Sequence, residues 1–214
     1  MPTYSISKSF NWQGTVTDNV TFVCRMFGLT IDRLIEKSFD HKCQIDINDG
    51  DIVYITGASG TGKSVLLKEL EKSISVSDRI NLARIELPSD KAVIDCIEED
   101  SITALNLLCT AGLGDCFCML NQPGNLSEGE QYRFRLVMAL AAKKKFVFAD
   151  EFCCGLDRIT AMVISNHIHK FAKRTGTTFI LASSHHDILL DLQPDVIVTK
   201  EFNGPAKIDY KIRR

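Results

Sequence analysis

Ile52-Val53-Tyr54-Ile55-Thr56-Gly57-Ala58-Ser59-Gly60-Thr61-Gly62-Lys63-Ser64 is the stretch that decides how this chain folds. Its first five residues are apolar or β-branched and come after a turn, Asn48-Asp49-Gly50-Asp51, so they read as a short buried strand. Beyond it, Val65, Leu66, Leu67 and Leu70 recur at helical spacing. Strand, glycine loop and helix, in that order, form the setting in which backbone amides curl around phosphate oxygens and the helix N-terminus adds its dipole. In that cradle of Gly57, Ala58, Ser59, Gly60, Thr61 and Gly62, Lys63 supplies a point charge to the β and γ phosphates of a nucleotide. The Ser64 hydroxyl is then placed to ligate Mg²⁺.

Working outward, Phe146-Val147-Phe148-Ala149 is a second apolar run, and it ends in two carboxylates, Asp150 and Glu151. A strand that presents acid at the carboxyl edge of a sheet, beside a phosphate loop, suits a metal-nucleotide site. Asp150 is expected to hold Mg²⁺, through water. Glu151 is expected to orient and deprotonate the attacking water as general base. Two further β-type runs, Thr177 to Ala182 and Asp195 to Thr199, flank a helix between Thr160 and Arg174 of the right length for a crossover. The alternation predicts an α/β fold with a mainly parallel sheet. Residues 51–90 and 143–214 would form its core, residues 91–142 a helical subdomain interrupted by Gly112, Gly114, Pro123 and Gly124, and residues 1–50 a β-rich part. In that first part Val20 to Cys24 reads as β-type and Leu29 to Lys37 as a short helix.

Composition narrows the class. With 214 residues, 45% of them hydrophobic, the chain can bury one sizeable core. A net charge of -2 gives no global basic field for nucleic acid, and direct contact with nucleic acid stays open. The basic run Lys143-Lys144-Lys145 and the closing cluster Lys211, Arg213 and Arg214 read as solvated face and tail. Eight cysteines, with no CxxC spacing and no leader, point to reduced packing residues in a cytoplasmic protein rather than to a disulfide framework or a zinc site. No apolar run approaches the roughly 20 residues needed to cross a bilayer, so any membrane role needs a partner.

Between the phosphate loop and the acid pair lies Leu126-Ser127-Glu128-Gly129-Glu130-Gln131-Tyr132-Arg133, and here the chain resembles the ABC-type ATPases. Their LSGGQ signature is kept at Leu126, Ser127 and Gly129 and altered at Glu128 and Glu130, with Arg133 at the matching arginine. Read by itself the segment is a capped helix start, Ser127 as N-cap with Glu130 three residues on. The residues 57–64 match the family's Walker A, and 146–151 its Walker B. Cys154-Gly155-Leu156-Asp157 is similar to its D-loop, and Ser183-Ser184-His185-His186-Asp187 falls where its switch histidine lies.

That resemblance implies a P-loop ABC-type ATPase that binds ATP and Mg²⁺ and closes head to tail as an ATP-dependent homodimer. Ser127 and the Gly129 amide would reach the γ phosphate held by the second subunit, Asp157 would lie at the interface, and His185, with His186 as competitor, would bond the γ phosphate. Two family features have no obvious counterpart. Glu86 or Asp90 stands in the region of the Q-loop glutamine, and Phe39 is a weak candidate for stacking on adenine. Met26-Phe27-Gly28-Leu29 and Leu192-Gln193-Pro194-Asp195-Val196 look similar to a soluble bacterial and phage branch of the family that is sometimes fused to a GNAT-type acetyltransferase.

The leading expectation from this is a soluble ATP-driven switch serving a separate, unidentified modification enzyme, with nucleic acid among that enzyme's candidate substrates. The alternative is the ATP-binding subunit of an ABC transporter, partnered by a membrane permease. A P-loop kinase for a small metabolite is a third reading, disfavoured because Glu151 next to Asp150 selects water as acceptor.

Overall fold

A computed structural model describes residues 2–202 and 204–211, with only the backbone described for 38–40. Two strands, β1 (Thr3–Asn11) and β2 (Ser38–Asp46), pair antiparallel as a separate ribbon. Between them run two short helices, α1 (Asp18–Met26) and α2 (Ile31–Glu36). The second agrees with the sequence. The first corrects it, because Val20 to Cys24 is helical rather than β-type. The Thr17 hydroxyl caps the Val20 amide, and Val20 and Cys24, four residues apart, turn one face of the helix inward.

The main sheet has six strands in the order β4-β5-β6-β3-β7-β8. They are β3 (Ile52–Thr56), β4 (Arg79–Asn81), β5 (Phe146–Ala149), β6 (Thr178–Ala182), β7 (Val196–Thr199) and β8 (Lys207–Tyr210). All pairings are parallel except β7 with β8. Every residue of β3, β5 and β6 is buried, as strands covered on both faces must be.

Alternation then sorts their side chains into two cores. Ile52, Tyr54, Val147, Ala149, Phe179 and Leu181 pack with the helices α6 (Glu128–Ala141) and α7 (Arg158–Thr175) on one face. Val53, Ile55, Phe148 and Ile180 pack on the other with helix α3 (Lys63–Lys72) and with Ile6, Cys43 and Ile45 of the ribbon. Residues 91–142 hold α4 (Ser101–Thr110), α5 (Cys116–Leu120) and α6, with one short 3-10 turn before α4 and another between α5 and α6. The chain closes through α8 (Leu189–Leu192) and the β7-β8 hairpin.

All eight cysteines are free thiols, five of them buried. The basic run 143–145 is tethered locally: Lys143 to Glu99 at 2.5 Å, Lys145 to Asp49 at 3.0 Å, and Lys144 to the Ser77 carbonyl at 2.8 Å. Of the closing basic cluster, Lys211 is exposed, and Arg213 and Arg214 lie outside the described residues. No helix among the described residues is long and apolar enough to cross a membrane.

Phe179 is fully buried and meets Phe171 edge to face at 6.3 Å. Phe179→Ala is expected to cost about 3–5 kcal/mol in chemical denaturation, while Leu190→Ala, at an exposed position, should change stability by no more than about 0.5 kcal/mol.

Candidate functional site

Because β5, β6 and β3 are parallel neighbours, their carboxyl ends open at one edge of the sheet. The segments that leave those ends line a cleft of about 450 Å³: Ser59, Gly60, Gly62, Lys63 and Ser64 after β3, Asp150, Glu151 and Cys154 after β5, and Ala182 to His185 at the end of β6. The sequence reading thus anticipates Lys63, Ser64, Asp150, Glu151 and His185 as neighbours. Cys154, Ser183 and Ser184 are additions. The available clue is that polar residues succeed β6 just as they succeed β5.

The loop's shape comes from its glycines. Gly62, at φ +97, is the N-cap of α3, and a Cβ there would sit 2.1 Å from the His41 ring. Gly57, at φ +143, abuts the Lys200 carbonyl so closely that a Cβ would meet it at 2.1 Å. Both positions exclude L side chains on conformation and space together. Thr61 turns inward and donates to the Ala58 carbonyl at 2.9 Å, so Gly57, Ala58 and Thr61 shape the loop without lining the cleft. Lys63 Nζ donates to the Gly57 and Ala58 carbonyls at 2.9 and 3.0 Å, which holds the ammonium inside the curl.

The acid pair is positioned by strained backbone. Glu151 and Cys153 adopt φ +51 and +59, uncommon for residues with a Cβ and typical of sites where function fixes the chain. The turn is pinned on both sides. Phe152 N–H donates to the Ala182 carbonyl at 2.8 Å, and Cys153 N–H donates to the Tyr132 hydroxyl of α6 at 3.0 Å. On β6's side, the buried Tyr54 hydroxyl donates to the His185 carbonyl, and the Ser183 hydroxyl accepts from the His185 amide at 3.3 Å. Burial pushes the Tyr54 phenol up to about 12, so it remains a donor at neutral pH. Both histidines are exposed, but His185 lines the cleft and stands 3.9 Å from Asp187, whereas His186 is outside the cleft lining.

The signature segment lies elsewhere. Ser127, Gly129 and Asp157 do not line this cleft. Ser127 caps α6 in a capping box with Glu130, and Asp157 caps α7 by accepting from Thr160 at 3.0 Å. Gly129 packs on the turn after the acid pair, where a Cβ would meet Leu156 at 3.4 Å. Glu86 and Asp90 are likewise outside the cleft lining, in a segment held by Arg84 to Glu71 at 3.1 Å and by Arg135 to the Ile85 carbonyl at 3.4 Å.

Phe39's side chain lies outside the described residues, but its partner in register is Phe10. That ring is 43% exposed. It stands edge to face 5.8 Å from His41, the side chain that packs on Gly62. Phe10 is an aromatic that the sequence reading misses, since only the pairing of β1 with β2 brings it toward the loop.

Two measurements probe this geometry. Gly62→Ala is expected to weaken binding of a fluorescent ATP analogue by at least about tenfold, since the added methyl has neither the conformation nor the room it needs. The Glu130 carboxyl is held below its ordinary range by hydrogen bonds from Ser127. A depressed carboxyl stabilises the fold above the ordinary value near about 4.3, and that contribution fades as pH falls through the lowered one. Glu130→Ala should therefore lower the melting temperature at pH 7 and not at strongly acid pH.

No protein-family model matches the chain. Curated relatives do. The chain is 27% identical over 176 residues to the lipoprotein-releasing system ATP-binding protein LolD of Rickettsia bellii, covering 67% of this chain and 79% of that protein. It is 24% identical over 212 residues to the phosphonates import ATP-binding protein PhnC of Lactococcus lactis, covering 76% and 85%. Among solved structures, a dimeric bacterial ABC transporter cassette superposes with a TM-score of 0.66 at 19% identity, over 83% of this chain and 94% of that one. A dimeric cassette in a post-hydrolysis state bound to ADP and Pi gives 0.63 at 22%, over 82% and 92%. These relatives overturn the expectation of a soluble switch serving a modification enzyme, because they are ATP-binding proteins of release and import systems. The chain therefore has the P-loop fold of the ATP-binding cassette domains of ABC transporters.

Proposed function

We propose that this protein is the ATP-hydrolysing subunit of an ABC-type transporter, a single cassette domain that closes as a dimer around ATP and drives a membrane permease. The observation that carries the reading is the convergence of Lys63, Ser64, Asp150, Glu151 and His185 on one cleft at the carboxyl edge of the sheet. Loop amides from Gly57 to Ser64 and the Lys63 ammonium would hold the β and γ phosphates. Phe10 would stack on the nucleobase. The donor set fits magnesium, since Ser64 and Asp150 both line the cleft and offer hard oxygens. Bound there, Mg²⁺ would neutralise developing charge on the phosphates.

Glu151 accepts a proton from water as the water oxygen bonds to the γ phosphorus and the bond to the β–γ bridging oxygen breaks. His185 donates to the γ phosphate. Ser127 and Gly129, which do not line the cleft of their own chain, would serve the cleft of a second copy, with Asp157 beside them at the interface. The dimeric cassette structures support this arrangement.

A permease partner is supported by the relatives and by what the helical segment leaves in the open, since Ile102, Phe117 and Leu120 are large apolar side chains at 72%, 80% and 70% exposure. The working location would then be the cytoplasmic face of a membrane. The Val196 and Met26 stretches that suggest the acetyltransferase-fused branch do not bear on these roles.

Lys63→Ala should abolish ATP turnover in a phosphate-release assay, and unchanged turnover would remove the proposed site. Glu151→Gln should slow hydrolysis by at least about a hundredfold, in keeping with loss of a general base, and should shift the solution mass from monomer to dimer on addition of Mg-ATP. Phe117→Glu should prevent recovery of a multi-span membrane protein with the tagged chain.

A further inference from the structure

Glu130 makes the capping-box contact that its spacing from Ser127 predicts, but with a charged carboxylate where the family's signature has a neutral glutamine. One carboxylate oxygen, Oε2, accepts from both the Ser127 hydroxyl at 2.7 Å and the Ser127 amide at 2.9 Å. The Glu130 amide donates back to Ser127 Oγ at 3.4 Å. Arg133, whose charge favours the Glu130 carboxylate, spends its hydrogen bonds on the Gly129 and Gly112 carbonyls, at 3.2 and 2.6 Å. Glu130 therefore keeps its charge without an ion pair among the described residues.

A serine hydroxyl has one proton to donate. While Glu130 takes it, no phosphate oxygen can. Charge makes this bond roughly twice as strong as a neutral one, and a polyphosphate that approaches Ser127 meets a carboxylate already seated on it, with like charges repelling at short range. Glu128, the other departure, differs. Its side chain is exposed and makes no hydrogen bond or ion pair among the described residues.

We infer that Glu130 is an intramolecular latch on the signature serine: it occupies the hydroxyl and amide of Ser127 in the open subunit and must let go before a second copy's γ phosphate can take its place. The inference rests on the proposed head-to-tail dimer. A symmetric dimer has two such latches, so the release contribution counts twice toward closure. The latch sets a threshold, in that ATP binding alone closes the dimer weakly and an added stabilisation from the partner completes it.

The test measures dimer dissociation constants by analytical ultracentrifugation in saturating Mg-ATP, in the Glu151→Gln background that retains ATP. Glu130→Gln keeps a capping box, which accepts Gln at that position, and a thermal melt checks that it folds. Adding Glu130→Gln should lower the dissociation constant at least about tenfold. Glu128→Gln, which removes the same charge without weakening the bond on Ser127, should change it less than about threefold. An unchanged constant with Glu130→Gln overturns the latch and leaves the dimer standing, and an equal gain from Glu128→Gln overturns it in favour of bulk charge. If ATP binds and neither chain dimerises, the dimer itself fails and the latch with it.

Discussion

The parallel alignment of β5, β6 and β3 is the constraint on which the rest depends. Parallel neighbours all end at the same edge, so the loops that leave their carboxyl ends meet one another there. A phosphate loop, an acid pair and a histidine, spread over more than half the sequence, thereby become walls of one cleft. The strands hold that register because both faces of the sheet are covered. Alternate residues feed two separate cores, one under α6 and α7 and one under α3 and the β1-β2 ribbon.

Around the cleft the backbone is held in conformations that a free chain would avoid. Gly57 and Gly62 carry the left-handed geometry that lets the loop curl, and their lack of a Cβ also admits the Lys200 carbonyl and the His41 ring. Glu151 and Cys153 adopt positive φ with a Cβ in place, and the hydrogen bonds of Phe152 to β6 and Cys153 to α6 offset that cost. Through Tyr132 the signature helix is tied directly to the turn after the acid pair. Movement of one would be felt by the other, which suits the proposed site shared between two copies.

A cassette's nucleotide chemistry and its biological task are set by different residues, and this chain illustrates why. In the proposed reading Lys63, Asp150 and Glu151 would supply the phosphate chemistry, and would serve equally in a switch or a transporter. The missing Q-loop glutamine argues against a permease only if a single side chain must do that coupling. The segment holding Glu86 and Asp90 is gripped by Glu71 of the helix after the phosphate loop and by Arg135 of the signature helix, contacts that would offer the proposed transporter subunit another link.

Some of this is legible in the residues alone. The strands β3 and β5 are bounded to the residue, because a buried parallel strand reads as a continuous apolar run and each ends at a motif. Strand-loop-helix at 52–72 and the capping box at Ser127 are local features, written in spacing that needs no distant partner. The α1 helix is misread because a short β-branched run looks the same in either structure, and the decisive cap at Thr17 lies just outside the run. Only the tertiary structure decided which strands are neighbours, and so that Cys154, Ser183 and Ser184 join the cleft and Phe10 faces the loop through His41. It also left Ser127 out of the cleft of its own chain. Sequence determines these local propensities since they depend on residues a few positions apart, whereas the cleft is made by contacts across a hundred positions, which only the closed sheet brings within reach.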